Sequence, residues 1–104
     1  MRENPFGYRR QSYRGRFSPS VKIRILERDN YICIYCDSFA DQVDHVLPIK
    51  WGGISKTSNG VAACHRCNRN KYSNLDEEII KKGFTHLLNK GEDMAWTERA
   101  VRVE

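Results

Sequence analysis

The chain has 104 residues, of which 39% are hydrophobic, 30% charged and 11% aromatic. That is material for one small domain; it excludes a large multidomain enzyme and leaves a core thin enough that a bound metal or a cross-link would help it fold. The net charge is +5, and no apolar stretch has the length of a membrane span or a secretory signal, so the expectation is a soluble, cytoplasmic protein with no membrane partner.

Residues 1–17 carry five arginines, Arg2, Arg9, Arg10, Arg14 and Arg16, against the single acid Glu3, with Phe6, Tyr8, Tyr13 and Phe17 among them. Arginines neutralise phosphates and rings stack on bases, so this arm is a candidate nucleic-acid contact as well as an ordinary solvated tail. Ser18-Pro19 then reads as N-cap and first helical position of a helix to about Asp29, with Val21, Ile25 and Leu26 on one face and Asn30 as its stop. A short apolar segment, Tyr31 to Cys36, ends in a cysteine knuckle. Residues Gln42 to Val46 have strand character before Pro48 breaks it, and Gly52-Gly53 with Ser55 to Asn59 predicts a flexible loop.

The stretch from Val61 to Asn68 leads into a short helix or turn rich in Arg66, Arg69 and Lys71. Asn74 and Glu77 have capping-box spacing for a last helix reaching Lys90, whose core face would be Ile80, Phe84, Leu87 and Leu88. His86 on that helix is expected to be structural or solvated. Beyond Gly91, a tail with Met94, Trp96, Val101 and Val103 is expected to pack on the body or on a partner.

Cys33-x-x-Cys36 and Cys64-x-x-Cys67 offer four soft thiolates, enough to close the tetrahedral shell of a structural Zn²⁺. A redox dithiol would need one reactive pair, not two. Between and after the knuckles lie polar residues that a bare zinc ribbon does not need: Asp44-His45-x-x-Pro48, Gly52-Gly53, Asn59, Asn68 and Lys71. Taken singly these are strand or turn residues or helix caps.

Taken together, the string Cys33-x-x-Cys36, Asp44-His45-x-x-Pro48-x-x-x-Gly52-Gly53, Asn59-x4-Cys64-x-x-Cys67-Asn68-x-x-Lys71 resembles the HNH endonuclease family in its zinc-supported form. Arg28 to Tyr31 lend weaker support. Two positions depart from the family pattern: Asn68 stands where histidine is usual, and Gly60 where leucine is commoner. The resemblance implies an α+β fold, a small ββα-metal (His-Me finger) core with a four-cysteine structural zinc site and flanking helices. With the composition and the predicted elements, the chain divides into three parts: the basic arm 1–17, a nuclease domain 18–91 and the tail 92–104.

The resemblance further implies a metal-dependent DNA endonuclease leaving 5′-phosphate and 3′-hydroxyl ends. His45 would be the general base, Asp44 and Asn68 the oxygen ligands of a catalytic Mg²⁺ or Mn²⁺, and Asn59 the brace of the loop that orients His45. Adjacent strand residues face opposite ways, so Asp44 and His45 can meet one phosphate only where the strand ends or bends. Pro48 and the glycine pair supply such an ending.

DNA contacts are expected from Arg9, Arg10, Arg14 and Arg16 of the arm and from His65, Arg66, Arg69 and Lys71, with Trp51 a better candidate than Trp96. With no separate reading domain, the expected outcome is nicking or weakly sequence-specific cleavage. The rival readings are a non-catalytic zinc module that binds nucleic acid and a docking module of a larger phage or restriction machine. A protein partner or a homodimer is compatible with either.

Overall fold

The computed structural model describes residues 15–71 and 76–100. Helix α1 (Pro19–Arg28) starts where the sequence says it should: Pro19 occupies the first helical position, and the Val21 amide donates to Ser18 Oγ at 3.4 Å. The helix ends at Asp29, and the next two residues, Asn30 and Tyr31, both take left-handed backbone angles (φ 58° and 56°). For a tyrosine that conformation is uncommon and must be held by its surroundings. Here the Tyr31 amide donates to the Leu26 carbonyl and its own carbonyl accepts from Ala40.

Strand β1 (Gln42–His45) pairs antiparallel with β2 (Gly60–Ala63), in the register Gln42 to Ala63, Val43 to Ala62, Asp44 to Val61 and His45 to Gly60. Two 3-10 turns, Ile49–Trp51 and Thr57–Asn59, lie in the connection. The second strand is absent from the sequence reading above. All four of its residues are buried, so it shows none of the polar-apolar alternation that marks a half-exposed strand.

Helix α2 (His65–Lys71) follows directly and packs on β1, completing a ββα unit. Helix α3 (Glu77–Asn89) is capped by Asp76, whose carboxylate accepts from the Glu78 and Ile79 amides. Asp76 therefore takes the capping role expected of Asn74, which lies outside the described residues. A short helix α4 (Thr97–Ala100) closes the described chain.

The core has two lobes. Leu26, Cys33, Ala40, Ala62 and Ala63 form one, beside the cysteine knuckles; Val46, Val61 and Leu87 form the other, with Ile80, Phe84 and Met94 packed against it. Leu88, expected on the core face of α3, is 60% exposed. One residue further round the helix turns the side chain by about 100°, away from the stripe that Ile80, Phe84 and Leu87 share. Trp96 packs edge-on against Phe84 and donates from its indole nitrogen to the Ser58 carbonyl at 3.3 Å, so the start of the tail does lie on the body. Residues 101–104 are outside the described chain.

Buried charge ties the layers together. Arg28 reaches from α1 to the carbonyls of Thr57 (2.9 Å) and Gly60 (2.7 Å) and to Glu92 (3.2 Å). Its neighbour Asp29 accepts from Arg28, from the Ala62 amide and from His86 of α3. His86 is thus a structural residue. No helix among the described residues is long and apolar enough to cross a membrane.

Candidate metal centre and polar site

The two knuckles meet. The Sγ atoms of Cys33, Cys36, Cys64 and Cys67 all lie within 4.8 Å of one another, and Cys36 and Cys64 are 3.7 Å apart. Metal–sulfur bonds of about 2.3 Å set at tetrahedral angles put sulfurs about 3.8 Å apart, so the cluster has the donor type, number and spacing of a structural zinc site. The Cys67 amide donates to Cys64 Sγ at 3.4 Å, and this contact is the largest of those that bring the Cys64 thiol down to about 6. Cys67, less open to water, is pushed up by burial to about 12. Cys33 and Cys36 precede β1, Cys64 links β2 to α2 and Cys67 sits in the first turn of α2, so an ion there would clamp the segment before β1 to the start of α2.

The polar residues of the motif sit around β1. Asp44 and His45 leave the strand on opposite faces. On the face toward α2, Tyr35 donates to Asp44 Oδ2 at 2.7 Å and the Lys71 ammonium lies 3.1 Å from the same oxygen. Gln42 shares that face: its amide donates to His65 Nδ1 at 3.1 Å, and its oxygen accepts from Asn68 Nδ2 at 3.1 Å. Burial pushes the Asp44 carboxyl above the usual carboxylate range, and the charge of Lys71 and the Tyr35 hydroxyl offset that only in part.

Among the described residues, no hydrogen bond falls on Asp44 Oδ1 or Asn68 Oδ1. Two hard oxygen donors therefore remain on this face. That donor chemistry fits a divalent ion of the Mg²⁺ or Mn²⁺ type.

On the opposite face, His45 stacks on Phe17 with ring centroids 4.1 Å apart and planes 21° from parallel, and its Nε2 lies 2.9 Å from Ser55 Oγ. It forms one wall of a cleft of about 500 Å³ with Arg16, Phe17, Lys22, Ile23 and Val43. Burial, helped by the positive charge of Lys71, holds the imidazole down to about 4, so the ring is neutral near pH 7.

Asn59 is fully buried and spends its whole amide on the loop after β1. Oδ1 accepts from the Leu47 amide at 2.9 Å, and Nδ2 donates to the carbonyls of Leu47 (3.0 Å) and Ile54 (2.8 Å). Gly53 makes room for this: a Cβ there would overlap the Leu47 carbonyl oxygen and stand 2.8 Å from Asn59 Nδ2. The loop that reads as flexible in the sequence is pinned at its centre.

Lys71 is placed differently from its expected role as a phosphate contact. It is 4% exposed, and its ammonium donates to the carbonyls of His45 (2.9 Å) and Val46 (3.3 Å) as well as pairing with Asp44. It ties the Asp44 side chain to the backbone at the end of β1. Arg66 and Arg69 are exposed on α2, as is His65, while Arg16 is exposed beside the cleft. Arg9, Arg10 and Arg14 lie outside the described residues. Trp51 is exposed in the loop after β1. The sequence reading missed Tyr35 and Ser55, because each meets the motif only after folding, across 9 and 10 residues of chain.

The profile of the HNH endonuclease family matches residues 33–84, half of the chain, and spans every residue of the site from Cys33 to Lys71. The Type IV methyl-directed restriction enzyme EcoKMcrA of Escherichia coli (strain K12) is 32% identical over 80 residues, an alignment that covers 66% of this chain and 29% of that protein. The chain therefore spans less than a third of that relative.

Proposed function

The chain belongs to the HNH endonuclease family, and from that premise we propose that it hydrolyses phosphodiester bonds of DNA with a divalent ion. The observation that carries this reading is the placement of His45 at the end of β1, backed by a loop that Asn59 locks with three hydrogen bonds, with burial favouring the neutral imidazole. His45 is the general base that takes the proton of the attacking water. Asp44 and Asn68 hold Mg²⁺ or Mn²⁺ through their unengaged oxygens. The ion, when bound, supplies positive charge against the phosphate and the departing 3′ oxygen.

Lys71 keeps Asp44 in place and, by bonding the His45 carbonyl, fixes the backbone at the strand's end. Since Asp44 and His45 leave β1 on opposite faces, this reading places the reacting phosphate over the end of the strand, where the two faces meet. Zn²⁺ in the four-thiolate cluster holds the fold and takes no part in the chemistry. Exposed Arg66, Arg69, His65 and Arg16, with Arg9, Arg10 and Arg14 of the arm, supply phosphate contacts that position the duplex without reading it. Cleavage is accordingly expected to be weakly sequence-specific, with single-strand nicks prominent. The methyl-directed restriction in the relative's name belongs to a much longer protein, and a similar role here would need a further reading element or partner.

The test is plasmid cleavage by the zinc-loaded chain in EDTA, Mg²⁺ and Mn²⁺, beside a His45→Ala variant with an unchanged circular dichroism spectrum. Divalent-dependent nicking that disappears in the variant is the expected result. Salt-sensitive DNA binding without cleavage under any ion would favour the binding-module reading instead.

A further inference from the structure

Three features converge on the imidazole of His45 that the family motif does not name. The first is Phe17, the residue joining the arginine-rich arm to α1, which is buried and stacked on the ring at 4.1 Å. The second is the glycine opposite His45 in the sheet. A Cβ at Gly60 would overlap the Ile25 side chain and stand 2.8 Å from the Phe17 ring, so the missing side chain is the space that Phe17 fills. The third is Ser55, whose hydroxyl lies 2.9 Å from His45 Nε2 and whose preceding carbonyl, that of Ile54, is held by Asn59.

We propose that Phe17 and Ser55 are positioning residues for His45, holding its imidazole in one plane and one tautomer, with the proton on Nε2 and the lone pair on Nδ1. The two contacts do different work. Stacking fixes the plane but would survive a half-turn of the ring about its Cβ–Cγ bond. The bond to Ser55 distinguishes the two edges and selects the one that places Nε2 on the hydroxyl. A serine hydroxyl can donate to Nε2 or accept from it. Nδ1, however, has no hydrogen-bond partner among the described residues and an N–H there would go unbonded, so the proton is assigned to Nε2, donating to Ser55 Oγ, and the lone pair to Nδ1. Asn59 then acts on His45 through Ser55, because it fixes the backbone from which that hydroxyl projects.

The consequence for rate rests on the nuclease reading; the tautomer does not. Nitrogen-15 spectra of the His45 ring in the full zinc-loaded chain at pH 7 should show Nε2 protonated and Nδ1 bare. In Ser55→Ala the two tautomers should mix, and in Ser55→Thr the wild-type pattern should return. In plasmid cleavage Ser55→Ala should lower kcat by about 10- to 100-fold with KM for DNA unchanged, with Ser55→Thr restoring most of it.

Phe17→Leu keeps apolar volume but loses the flat face. It should lower kcat less and broaden the ring signals, and Phe17→Tyr should rescue both. A wild-type ring protonated on Nδ1, or a folded Ser55→Ala protein with unchanged ring signals and kcat, overturns the proposal. Phe17→Leu with unchanged signals and kcat overturns the part given to Phe17. If the wild-type chain cuts no DNA under any ion, the nuclease reading fails and the ring-nitrogen spectra still decide this one.

Discussion

Asp29 and Asp44 are buried to the same depth, each 5% exposed and each beside a cation, yet they are used in opposite ways. Both oxygens of Asp29 are engaged: Oδ1 accepts from Arg28 Nε and His86 Nε2 at 2.8 Å each, and Oδ2 accepts from Arg28 and from the Ala62 amide at 2.9 Å each. Burial pushes that carboxyl up, but these donors outweigh it and hold it below the usual range. At Asp44 the contacts fall on Oδ2 alone, burial wins, and the carboxyl sits above the usual range. A carboxylate with every lone pair assigned is a rivet. One left half-assigned at a cost to stability has an oxygen free for a ligand, which is the role proposed above for Asp44.

The largest test removes the frame that holds both. Stripping the metal from the four-thiol cluster with a strong chelator should unfold the chain, a loss on the order of 10 kcal/mol, seen as loss of amide exchange protection at Ala62. Retained protection after complete metal loss would mean that the apolar core suffices.

Asp29→Asn comes next. In either orientation its amide group turns a donor toward donors that Asp29 now satisfies, and Arg28 loses its carboxylate. The expected cost is about 3 kcal/mol in urea unfolding. Asp44→Asn has room for the difference: the new oxygen can still accept from Tyr35 and Lys71 while the NH₂ takes the open Oδ1 position. The expected stability cost is about 1 kcal/mol, with divalent-dependent cleavage falling by at least roughly 100-fold. Equal destabilisation by the two substitutions would erase the distinction between rivet and reactive group. A smaller effect isolates one contact at the rivet: His86→Ala should cost about 1 kcal/mol and leave cleavage unchanged.

The sequence assigns a role to Asp44 but none to Asp29, which enters only as part of the weaker Arg28 to Tyr31 match, and the reason is distance along the chain. The cysteine pairs and the Ser18-Pro19 start of α1 are local patterns, each legible within a few residues. Asp44, His45, Asn59 and Asn68 are legible as a family motif, although their hydrogen bonds are not. Asp29 has partners 33 and 57 residues away, so its role as a buried acceptor is not legible even within the Arg28 to Tyr31 match. Lys71 reads as a surface cation because it lies in a basic stretch, and only the fold turns it under β1. Strand β2 is hidden for a related reason: four short residues buried on both faces carry no period.

The finest test of the comparison is its sign in pH. A carboxyl held below its unfolded value contributes stability that is present above that value, about pH 3.9, and is lost as pH falls through the folded pKa. Asp29 therefore makes the wild-type chain lose stability in acid, and Asp29→Asn should flatten the curve there. For Asp44 the direction reverses. Its folded pKa lies above the unfolded one, so the folded state takes up a proton first; the cost of the buried charge is present at neutral pH and is relieved as pH falls through the folded value.

In zinc-loaded protein without added Mg²⁺ or Mn²⁺, unfolding midpoints between neutral pH and pH 3 should decline more steeply on acidification in Asp44→Asn than in wild type, and less steeply in Asp29→Asn. Slopes that change in the same direction in both variants would mean that the two carboxylates are held alike, and that the open oxygen of Asp44 does not mark it out.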